Sequence, residues 1–223
     1  MHFLFQSAAH FGIHLSDPQL DSFRSYLEEL WSWNRKFNLT GLEDRERMVI
    51  ELFLDSLIPS PFIPGKGNLL DVGSGAGFPG LPLKIHCPER KTFLLEPSSK
   101  KASFLRHVTR VIRLREIHII RSRVEQLPKG PQYDMVTARA FAEFEKALDG
   151  CAPLVSPGGL LVLYLGARAE ENLKKGEGLV EAHHLRLSKK IPYELPGRSS
   201  KRNTIIFQKE QGFVGRPTGE ELA

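Results

Sequence analysis

Cysteine is scarce in this sequence, and long apolar runs are absent. The 223 residues include two cysteines, Cys87 and Cys151, which lie far apart and outside any CxxC spacing. Neither a disulfide framework nor a zinc cluster is therefore indicated, and we expect no metal site and a reducing compartment. No apolar stretch approaches the roughly 20 residues that a membrane helix needs, which argues against an integral membrane protein.

We expect no secretory signal either. Residues 1–5 are apolar, but no basic segment stands before them, no small-residue cleavage site follows, and His10 interrupts the apolar run. We therefore expect a cytoplasmic protein that has no membrane partner, and we take the chain to be a monomer.

Charge is present in excess and is unevenly distributed. The formal net charge is +5 and the isoelectric point is near 9.2. Residues 98–123 carry eight lysines and arginines against Glu116 alone, and residues 186–202 carry six against Glu194 alone. This segregation favours an anionic partner, although a solvated helix face with a basic tail would give the same pattern.

Helical patterns fill the first sixty residues. Ser16-Asp17-Pro18-Gln19 has the N-cap, the early proline and the capping-box residue of a helix start. A second helix is predicted over residues 45–57, where two prolines soon end it. Trp31 and Trp33, near the end of the first helix, are interpreted as packing residues, with base stacking as the alternative.

From residue 68 onward, short apolar strands alternate with amphipathic helices. This alternation predicts a Rossmann-like α/β sheet, mostly parallel, with helices on both faces. We expect the last two strands to form an antiparallel hairpin, because no clear helix separates them. The predicted strands are 68–72, 92–95, 117–120, 133–137, 160–165, 183–191 and 204–208, and the predicted helices are 81–86, 100–112, 143–151 and 169–175.

These patterns divide the chain into three parts. We expect a helical extension over residues 1–62, an α/β domain over 63–210 and a loose tail over 211–223. His183 and His184 fall next to each other in the sixth predicted strand. They would then point to opposite faces, which excludes a shared metal ion.

A glycine-rich loop follows the first strand directly. Residues 73–80 read Gly-Ser-Gly-Ala-Gly-Phe-Pro-Gly, and such a loop bends tightly and lets its backbone approach a ligand. The carboxyl end of the first strand borders the ligand crevice of an open α/β sheet. Gly75, Gly77 and Gly80 spell the G-x-G-x-x-G of dinucleotide-binding proteins, which is a weak match by itself.

Two carboxylates favour a different ligand. Asp71 stands just ahead of Gly73, where its charge would oppose a pyrophosphate but suits a ligand with an ammonium and a sulfonium group. Glu96 ends the next strand, where it can accept hydrogen bonds from both hydroxyls of a ribose. The residues therefore favour S-adenosylmethionine, while a dinucleotide and an empty tight turn stay open as alternatives.

Further residues fall at the same rim of the predicted sheet. Residues 122–127 follow the third strand and can bracket an adenine ring, and Arg139 follows the fourth strand, where it can grip a phosphate or stack on a base. The fourth strand lacks the Asn/Asp-Pro-Pro-aromatic motif of amine methylation, and no cysteine stands there as a nucleophile. A less demanding acceptor atom is implied.

These motifs together resemble the glucose-inhibited division protein B family, bacterial methyltransferases that act on N7 of a guanine in small-subunit (16S) ribosomal RNA. The resemblance covers about residues 27–209. The motifs that carry it are Trp33-Asn34, Asn38-Leu39-Thr40, Leu54-Asp55-Ser56, the loop from Asp71 to Gly80, Ser122-Arg123-Val124-Glu125 and Arg139-Ala140-Phe141-Ala142.

The resemblance implies a role for individual residues. It implies small-subunit ribosomal RNA, or a ribosomal particle, as the substrate beside the helical extension. Two positions depart from the family pattern: Leu165 stands where a lysine is usual, and Phe53 stands where a histidine is usual. The expected RNA contacts are Asn38, Arg123, Arg139 and Arg202. The expected cofactor contacts are Asp71, Gly73, Gly75, Gly77, Phe78, Glu96, Val124, Glu125 and Arg139.

No catalytic side chain is expected. N7 of guanine has a lone pair and no proton, so transfer to it needs no general base, and placing the reactants in line suffices. The residues by themselves leave three other functions open. These are a small-molecule methyltransferase, a dinucleotide-dependent oxidoreductase or redox sensor, and a ribosome-assembly factor that binds RNA without catalysis.

Overall fold

The computed structural model describes residues 1–128, 130, 132–139 and 143–211. In this part of the chain, seven strands form one sheet. The strands are β1 (Asn68–Val72), β2 (Lys91–Leu95), β3 (Ile117–Ile120), β4 (Tyr133–Arg139), β5 (Val155–Leu165), β6 (Leu185–Tyr193) and β7 (Arg202–Lys209). Their order is β3-β2-β1-β4-β5-β7-β6. The pairs from β3 to β5 are parallel, and β7 is antiparallel to both its neighbours.

The predicted sheet is confirmed, including its antiparallel C-terminal hairpin. The chain reverses its direction of travel across the sheet between β1 and β4, because β2 and β3 lie on one side of β1 and the later strands lie on the other. In open α/β sheets, ligands bind at the carboxyl ends of the strands beside such a reversal. Of the expected C-terminal tail, all but Gln211 lies outside the described residues.

Helices precede the sheet and connect its strands. They are α1 (His2–His10), α2 (Asp17–Phe37), α3 (Arg45–Met48), α4 (Asp55–Leu57), α5 (Gly80–His86), α6 (Ser99–Val111), α7 (Phe144–Cys151), α8 (Ala169–Lys175) and α9 (Glu177–Ala182). The predicted helix over 45–57 is observed as α3, a π-helical segment Val49–Leu54 and α4 in direct succession. This π-helical segment forms one wall of the cavity described below.

The start of α2 is tied to the end of α5. The backbone N–H of Ser16 donates to Oε1 of Gln19 over 2.9 Å, which completes the predicted capping box. Nε2 of Gln19 donates to the carbonyls of Ile85 and His86, over 3.1 and 2.8 Å. One side chain thereby satisfies polar groups at both helix ends and anchors the helical extension on the sheet.

Alternation along β1 decides which of its side chains meets which helix layer. Leu70 and Val72 pack with the α7 side of the sheet, whereas Leu69 packs with Leu83 of α5 on the other side. Asp71 has the same parity as Leu69, so its side chain points under α5. The α5 side is continuous with the core formed by α1, α2, the π-helical segment and α6.

Trp33 joins α2 to α6. Its ring centroid lies 5.5 Å from that of Phe104 and 5.3 Å from that of His107. His107 in turn lies 2.6 Å from a carboxylate oxygen of Glu29 on α2. Trp33 and Trp31 are both half-buried and pack against the core of the helical extension, so the packing interpretation is confirmed for both. The guanidinium of Arg45 lies over the ring of Trp31.

The prediction that His183 and His184 belong to a strand is wrong. Both follow α9, a short helix that the sequence analysis did not predict, and β6 begins one residue later, at Leu185. His184 has a φ of 52°, and its carbonyl accepts a hydrogen bond from the N–H of Glu210. The helix forms because Leu179 and Val180 pack onto the α7 side of the sheet, a tertiary contact that local patterning does not reveal.

Neither a membrane span nor a metal cluster is found in the part of the chain that the structure describes. No helix there is both long enough and apolar enough to cross a bilayer. No group of three or more histidine, cysteine, aspartate or glutamate side chains is placed to hold a metal ion. Cys87 and Cys151 are both free thiols, and burial raises the pKa of Cys151 to about 12.

Tyr26 links α2 to the glycine loop through its hydroxyl group, and removal of that hydroxyl should lower the stability of the fold. Its fully buried hydroxyl donates to the carbonyl of Ala76, so Tyr26→Phe leaves that carbonyl without its partner. We expect the free energy of unfolding to fall by about 1–3 kcal/mol. The matched control is Tyr133→Phe, because the Tyr133 hydroxyl makes no hydrogen bond within the described residues; it should change stability by less than about 0.5 kcal/mol. Urea denaturation of both variants measures this, and equal losses would contradict the assignment.

Candidate active site

The glycine loop is fastened to the carboxyl end of β2. The N–H groups of Gly73 and Ser74 both donate to the carbonyl of Leu95, over 2.9 and 3.0 Å. The N–H of Gly75 donates to Oε2 of Glu96 over 2.8 Å. Three consecutive amides are thus bound to one neighbouring strand end, and these bonds define the shape of the loop.

Gly75 presents its open side to solvent. It has a φ of 59°, and a Cβ added there would meet only the carbonyl of Gly73, at 3.9 Å. Gly80 is the opposite case, since a Cβ would lie 2.5 Å from the Leu94 side chain and 2.8 Å from Asp71. The loop therefore uses one glycine to leave room above its backbone and another to pack closely below it.

Glu96 has two acceptor positions left for a ligand. It is 5% exposed, and its two oxygens accept the N–H groups of Gly75 and Ser98, each over 2.8 Å. An ionised carboxylate offers about four lone-pair sites. Two backbone amides thus fix its orientation and leave about two sites for the neighbouring hydroxyls of a ribose.

Asp71 lies beneath the loop and not in the open cavity. It is fully buried, and its carboxylate accepts the hydroxyl of Thr137 at 2.9 Å and the N–H of Gly80 at 3.0 Å. Burial raises its pKa to about 6, against the lowering effect of these hydrogen bonds. The carboxylate is ionised at neutral pH, so it contributes negative charge under the loop without direct access to solvent.

An aromatic stack supports the loop from the side of the helical extension. The rings of Tyr26 and Phe78 lie 5.4 Å apart and only 8° from parallel. Phe53 of the π-helical segment lies 5.0 Å from Tyr26 and 5.4 Å from Phe78, measured between centroids. On the cavity side, the guanidinium of Arg139 lies 5.4 Å from the centroid of Phe78, within the range of a cation–π contact.

A buried carboxylate holds the arginines on the opposite wall. Asp55 is 1% exposed. Its oxygens accept hydrogen bonds from the hydroxyl of Tyr193 at 2.7 Å and from Nη1 of Arg139 at 3.1 Å. Nη1 of Arg202 lies 3.2 Å from the same carboxylate and forms an ion pair with it. Burial, reinforced by the charge of Asp55, raises the pKa of Tyr193 far above its ordinary value. The phenol therefore stays protonated and acts as a donor to Asp55.

Glu51 is the second carboxylate of this wall. One of its oxygens lies 2.9 Å from Nε of Arg47 and 3.1 Å from Nε of Arg198. Its other oxygen lies 3.7 Å from Arg202, and its backbone carbonyl accepts Nη1 of Arg139 over 2.9 Å. Four arginines thus surround the two carboxylates Glu51 and Asp55, and the net charge of the group is positive. We refer to these residues as the arginine wall: Glu51, Asp55, Arg47, Arg139, Arg198 and Arg202.

These elements enclose a cavity of about 400 Å³. Five of the residues predicted to bind cofactor or RNA line it: Gly73, Gly75, Phe78, Arg139 and Arg202. Other lining residues were not predicted as site residues, and they come from the helical extension and from α6: Leu39, Thr40, Leu42, Glu51, Leu52 and Lys101. The cavity therefore lies between the sheet edge and the helical extension.

The remaining predicted residues, Asp71 and Glu96 among them, do not line this cavity. Gly77 faces inward, where a Cβ would lie 2.6 Å from the Tyr26 hydroxyl. Val124 is buried and Glu125 is exposed in a short helical turn after β3, at the same edge of the sheet. Asn38 and Arg123 are exposed. Ala140, Phe141 and Ala142 lie outside the described residues.

Glu51 and Asp55 are the functional positions that the sequence analysis missed. Glu51 was not singled out, and Asp55 appeared only inside a family motif. A usable signal was present, because Glu51 and Asp55 are four residues apart and therefore fall on one face of the helix, and Glu51 is the one polar residue among residues 48–54. Such buried acids need cationic partners, yet nothing local indicated that Arg139, Arg198 and Arg202 would supply them.

Comparison with known proteins agrees with this geometry. The architecture resembles that of two solved structures, each at low sequence identity. They are the ribosomal protein L11 methylase of Lactobacillus delbrueckii (TM-score 0.57, 11% identity, 72% of this chain and 79% of that chain) and M. jannaschii TYW2 in complex with AdoMet (TM-score 0.55, 12% identity, 69% and 71%). These likenesses establish the fold, which is that of class I methyltransferases.

The sequence likeness is more specific. Residues 19–196 match the family GidB, described as rRNA small subunit methyltransferase G. Curated relatives with the name Ribosomal RNA small subunit methyltransferase G include those of Acetivibrio thermocellus and Roseiflexus sp. Each is 36% identical over 211 residues, which cover 92% of this chain and 87% or 90% of the relative. The chain belongs to the GidB family, as the resemblance in its motifs predicted.

The position of Asp71 predicts a pH dependence of stability. Since folding raises its pKa from 3.8 to about 6, the protonated form stabilises the folded chain, and this contribution is lost as the pH rises through 6. Asp71→Asn removes the titration. The free energy of unfolding of the wild type minus that of the variant should fall by about 2.4 kcal/mol between about pH 4 and pH 7. Urea denaturation at both pH values measures it; a difference that is constant or grows with pH would contradict the buried, raised-pKa carboxyl.

Proposed function

We propose that this chain transfers the methyl group of S-adenosylmethionine to N7 of a guanine in small-subunit ribosomal RNA. The observation that carries the proposal is the cavity between the glycine loop and the arginine wall, in a chain of the GidB family. One side of this cavity suits a cationic adenosine ligand, and the other suits a polyanion. We place the reaction in the cytoplasm.

The donor would lie along the glycine loop. Glu96 would accept its ribose hydroxyls, and the open face of Gly75 would admit the ligand close to the backbone. The turn at Val124 and Glu125 would border the adenine, since β3 ends beside β2. Asp71 supports this arrangement from below, because its buried charge favours a cation over a pyrophosphate in the space above it.

The reaction requires the two reactants to be held in the correct relative position, and it requires no proton transfer. The bound donor supplies a methyl group on a positively charged sulfur. N7 of guanine would attack the methyl carbon through its lone pair while the carbon–sulfur bond breaks and its electron pair returns to sulfur, which leaves as a neutral thioether. N7 has no proton to lose, so the chain needs no general base. Holding the two reactants in line is worth about 7–11 kcal/mol of the barrier. Phe78 and Arg139 lie beside each other in the cavity and offer a guanine both a ring edge and a guanidinium.

RNA would approach from the arginine wall. Arg139 and Arg202 line the cavity, and Asp55 and Glu51 hold their guanidinium groups. N7 is inaccessible in the deep major groove of an A-form helix, so the target guanine must be unpaired or turned outward. Asn38 and Arg123 are exposed and would contact the flanking backbone. A ribosomal particle and naked RNA are both compatible with this approach.

A small-molecule methyltransferase remains the second candidate, because it would use the same loop and Glu96. The four arginines around Glu51 and Asp55 favour the RNA substrate, since a small neutral acceptor would need no such positive wall. A dinucleotide oxidoreductase is not favoured, because its pyrophosphate would meet the ionised Asp71 beneath the loop.

The proposal is tested by methyl transfer in a purified system. The chain is incubated with radiolabelled S-adenosylmethionine and either small-subunit RNA or small-subunit particles, and the RNA is then cleaved chemically at 7-methylguanine. We expect label and cleavage at a single guanine. Absence of label from both substrates, or label on an atom other than N7, would contradict the proposal. Titration calorimetry with NADH tests the oxidoreductase alternative in parallel.

Glu96→Gln should weaken binding of the donor. Glutamine replaces one carboxylate oxygen by an NH₂ group, which would face the N–H of either Gly75 or Ser98 and could not accept it. The substitution also removes the negative charge that would accept the ribose hydroxyls. We expect the Kd for S-adenosylmethionine to rise about tenfold or more. Glu89→Gln is the matched control, because Glu89 is exposed in the turn before β2, at the opposite end of that strand. Calorimetry measures both variants, and equal affinities would exclude Glu96 from the donor site.

A further inference from the structure

A second cavity lies at the end of α2, beside the cavity of about 400 Å³ in the candidate active site, which we call the donor cavity. The volume of this second cavity is about 610 Å³. Its lining comes from the last turn of α2, the loop after it and the first turn of α6: Trp31, Asn34, Arg35, Lys36, Phe37, Asn38, Glu43 and Lys100. We refer to it as the α2 cavity. Of these residues, only the exposed Asn38 belongs to the site proposed for methyl transfer.

The α2 cavity adjoins the donor cavity along the chain on both of its sides. Asn38 lines the α2 cavity and Leu39 lines the donor cavity; likewise, Lys100 lines the first and Lys101 lines the second. A strand of RNA with one nucleotide in the donor cavity can therefore place a neighbouring nucleotide in the α2 cavity.

Cations in the α2 cavity are not neutralised by partners in the described part of the chain. No ion pair is formed within the described residues by Arg35, Lys36 or Lys100. Among these three charged groups, Lys100 alone makes a hydrogen bond in that part of the chain: its Nζ donates to the carbonyl of Phe37 over 3.0 Å. Glu43 is the single acid of the lining. The cavity thus has an excess of two positive charges, in contrast to the arginine wall, where carboxylates hold the guanidinium groups.

Aromatic rings accompany these cations. Phe37 is 40% exposed, whereas the other large apolar residues of α2 are buried or half-buried. Its ring lies 5.4 Å from that of Trp33, which supports it from beneath. Trp31 lines the cavity while Arg45 covers its ring from 5.1 Å. Bases stack on such exposed rings, and nearby lysines and arginines bind the phosphates, which is the pattern of single-stranded nucleic-acid sites.

The rim of the α2 cavity is rigid. Asn34 donates from Nδ2 to the carbonyl of Leu42 over 2.6 Å, and its Oδ1 accepts the N–H of Thr40 over 2.9 Å. Asn38 holds a left-handed conformation with a φ of 47°, and its Oδ1 accepts the N–H of Gly41. Because the loop from 38 to 42 is fixed in this way, the two cavities keep a constant separation.

We propose that the α2 cavity binds an unpaired nucleotide next to the target guanine, with its base against Phe37 and its phosphate at Lys36 and Lys100. The proposal rests on the proposed function for the identity of the RNA, but its binding step does not require methyl transfer. It assigns to Arg35, Lys36, Phe37 and Lys100 a role in selecting RNA that is single-stranded beside the target.

The two tryptophans of the chain, Trp31 and Trp33, provide a direct reading of occupancy. Trp33→Phe leaves Trp31 as the only indole, and it lines the α2 cavity. A single-stranded RNA of about eight nucleotides should quench this fluorescence in a saturable way. A polyglutamate peptide of matched charge serves as the competing polyanion. Quenching by RNA alone supports a nucleotide site; equal quenching by the peptide, or no quenching by RNA, overturns it.

Charge reversal tests the cation cluster against a matched control. Lys36→Glu is compared with Lys66→Glu, since Lys66 is an exposed lysine just ahead of β1, at the amino edge of the sheet away from both cavities. We expect Lys36→Glu to raise the Kd for the oligonucleotide about tenfold or more, and Lys66→Glu less than about twofold. The slope of log Kd against log salt should also fall by about 0.7 for each phosphate that the variant no longer binds. Phe37→Leu should weaken binding about fivefold or more.

Methyl transfer to small-subunit RNA, measured on the same preparations, separates the two proposals. If the wild type transfers the methyl group but Lys36→Glu and Lys66→Glu bind RNA with equal affinity, the α2 site is overturned and the proposed function stays intact. Conversely, quenching of Trp31 that depends on Lys36, without methyl transfer by any variant, would uphold the α2 site and contradict the proposed function. Unchanged affinity for S-adenosylmethionine in both variants confirms that the fold is intact.

Discussion

The attachment of the glycine loop to the end of β2 is the constraint on which the rest of this site depends. Three consecutive amides of the loop are bound by the Leu95 carbonyl and the Glu96 carboxylate, and Tyr26 holds the loop from the side of α2. The chain's own hydrogen bonds therefore define the backbone shape of the loop. A preorganised loop places a donor without the entropic cost of ordering the chain at the moment of binding.

The two sides of the cavity carry opposite charge. Under the loop, Asp71 is buried with hydroxyl and amide partners and no cation in hydrogen-bond contact among the described residues, so its negative charge is available to a cationic ligand. Across the cavity, Asp55 and Glu51 hold Arg139 and Arg202 in place but do not neutralise the whole arginine cluster. A positive methyl donor and a negative RNA strand can thus share one cavity without competing for the same groups.

The sequence was sufficient for the elements with strong local signals. The capping box of α2, the alternation of strands and helices, and the glycine loop each depend on neighbouring residues, and each was confirmed. Asp71 was expected to contact the cofactor, whereas alternation along β1 turns its side chain under α5, where it accepts the N–H of Gly80. The short helix α9 was missed, because its formation depends on packing of Leu179 and Val180 against the sheet.

The arginine wall could not be derived in the same way. Asp55 meets Tyr193, Arg139 and Arg202, which are 84 or more residues away along the chain. Contacts of this separation follow from topology, and the π-helical segment that positions Glu51 had no distinguishing pattern. The family motif Leu54-Asp55-Ser56 marked the place, but only the structure showed that its carboxylate holds arginines.

A crystal structure with S-adenosylmethionine bound would test the central claim most directly. We expect the donor along residues 73–78, with its ribose hydroxyls within hydrogen-bond distance of Glu96 and its methyl group facing Arg139 across the cavity. A donor bound elsewhere, or a dinucleotide that occupies the loop in preference to it, would contradict the account.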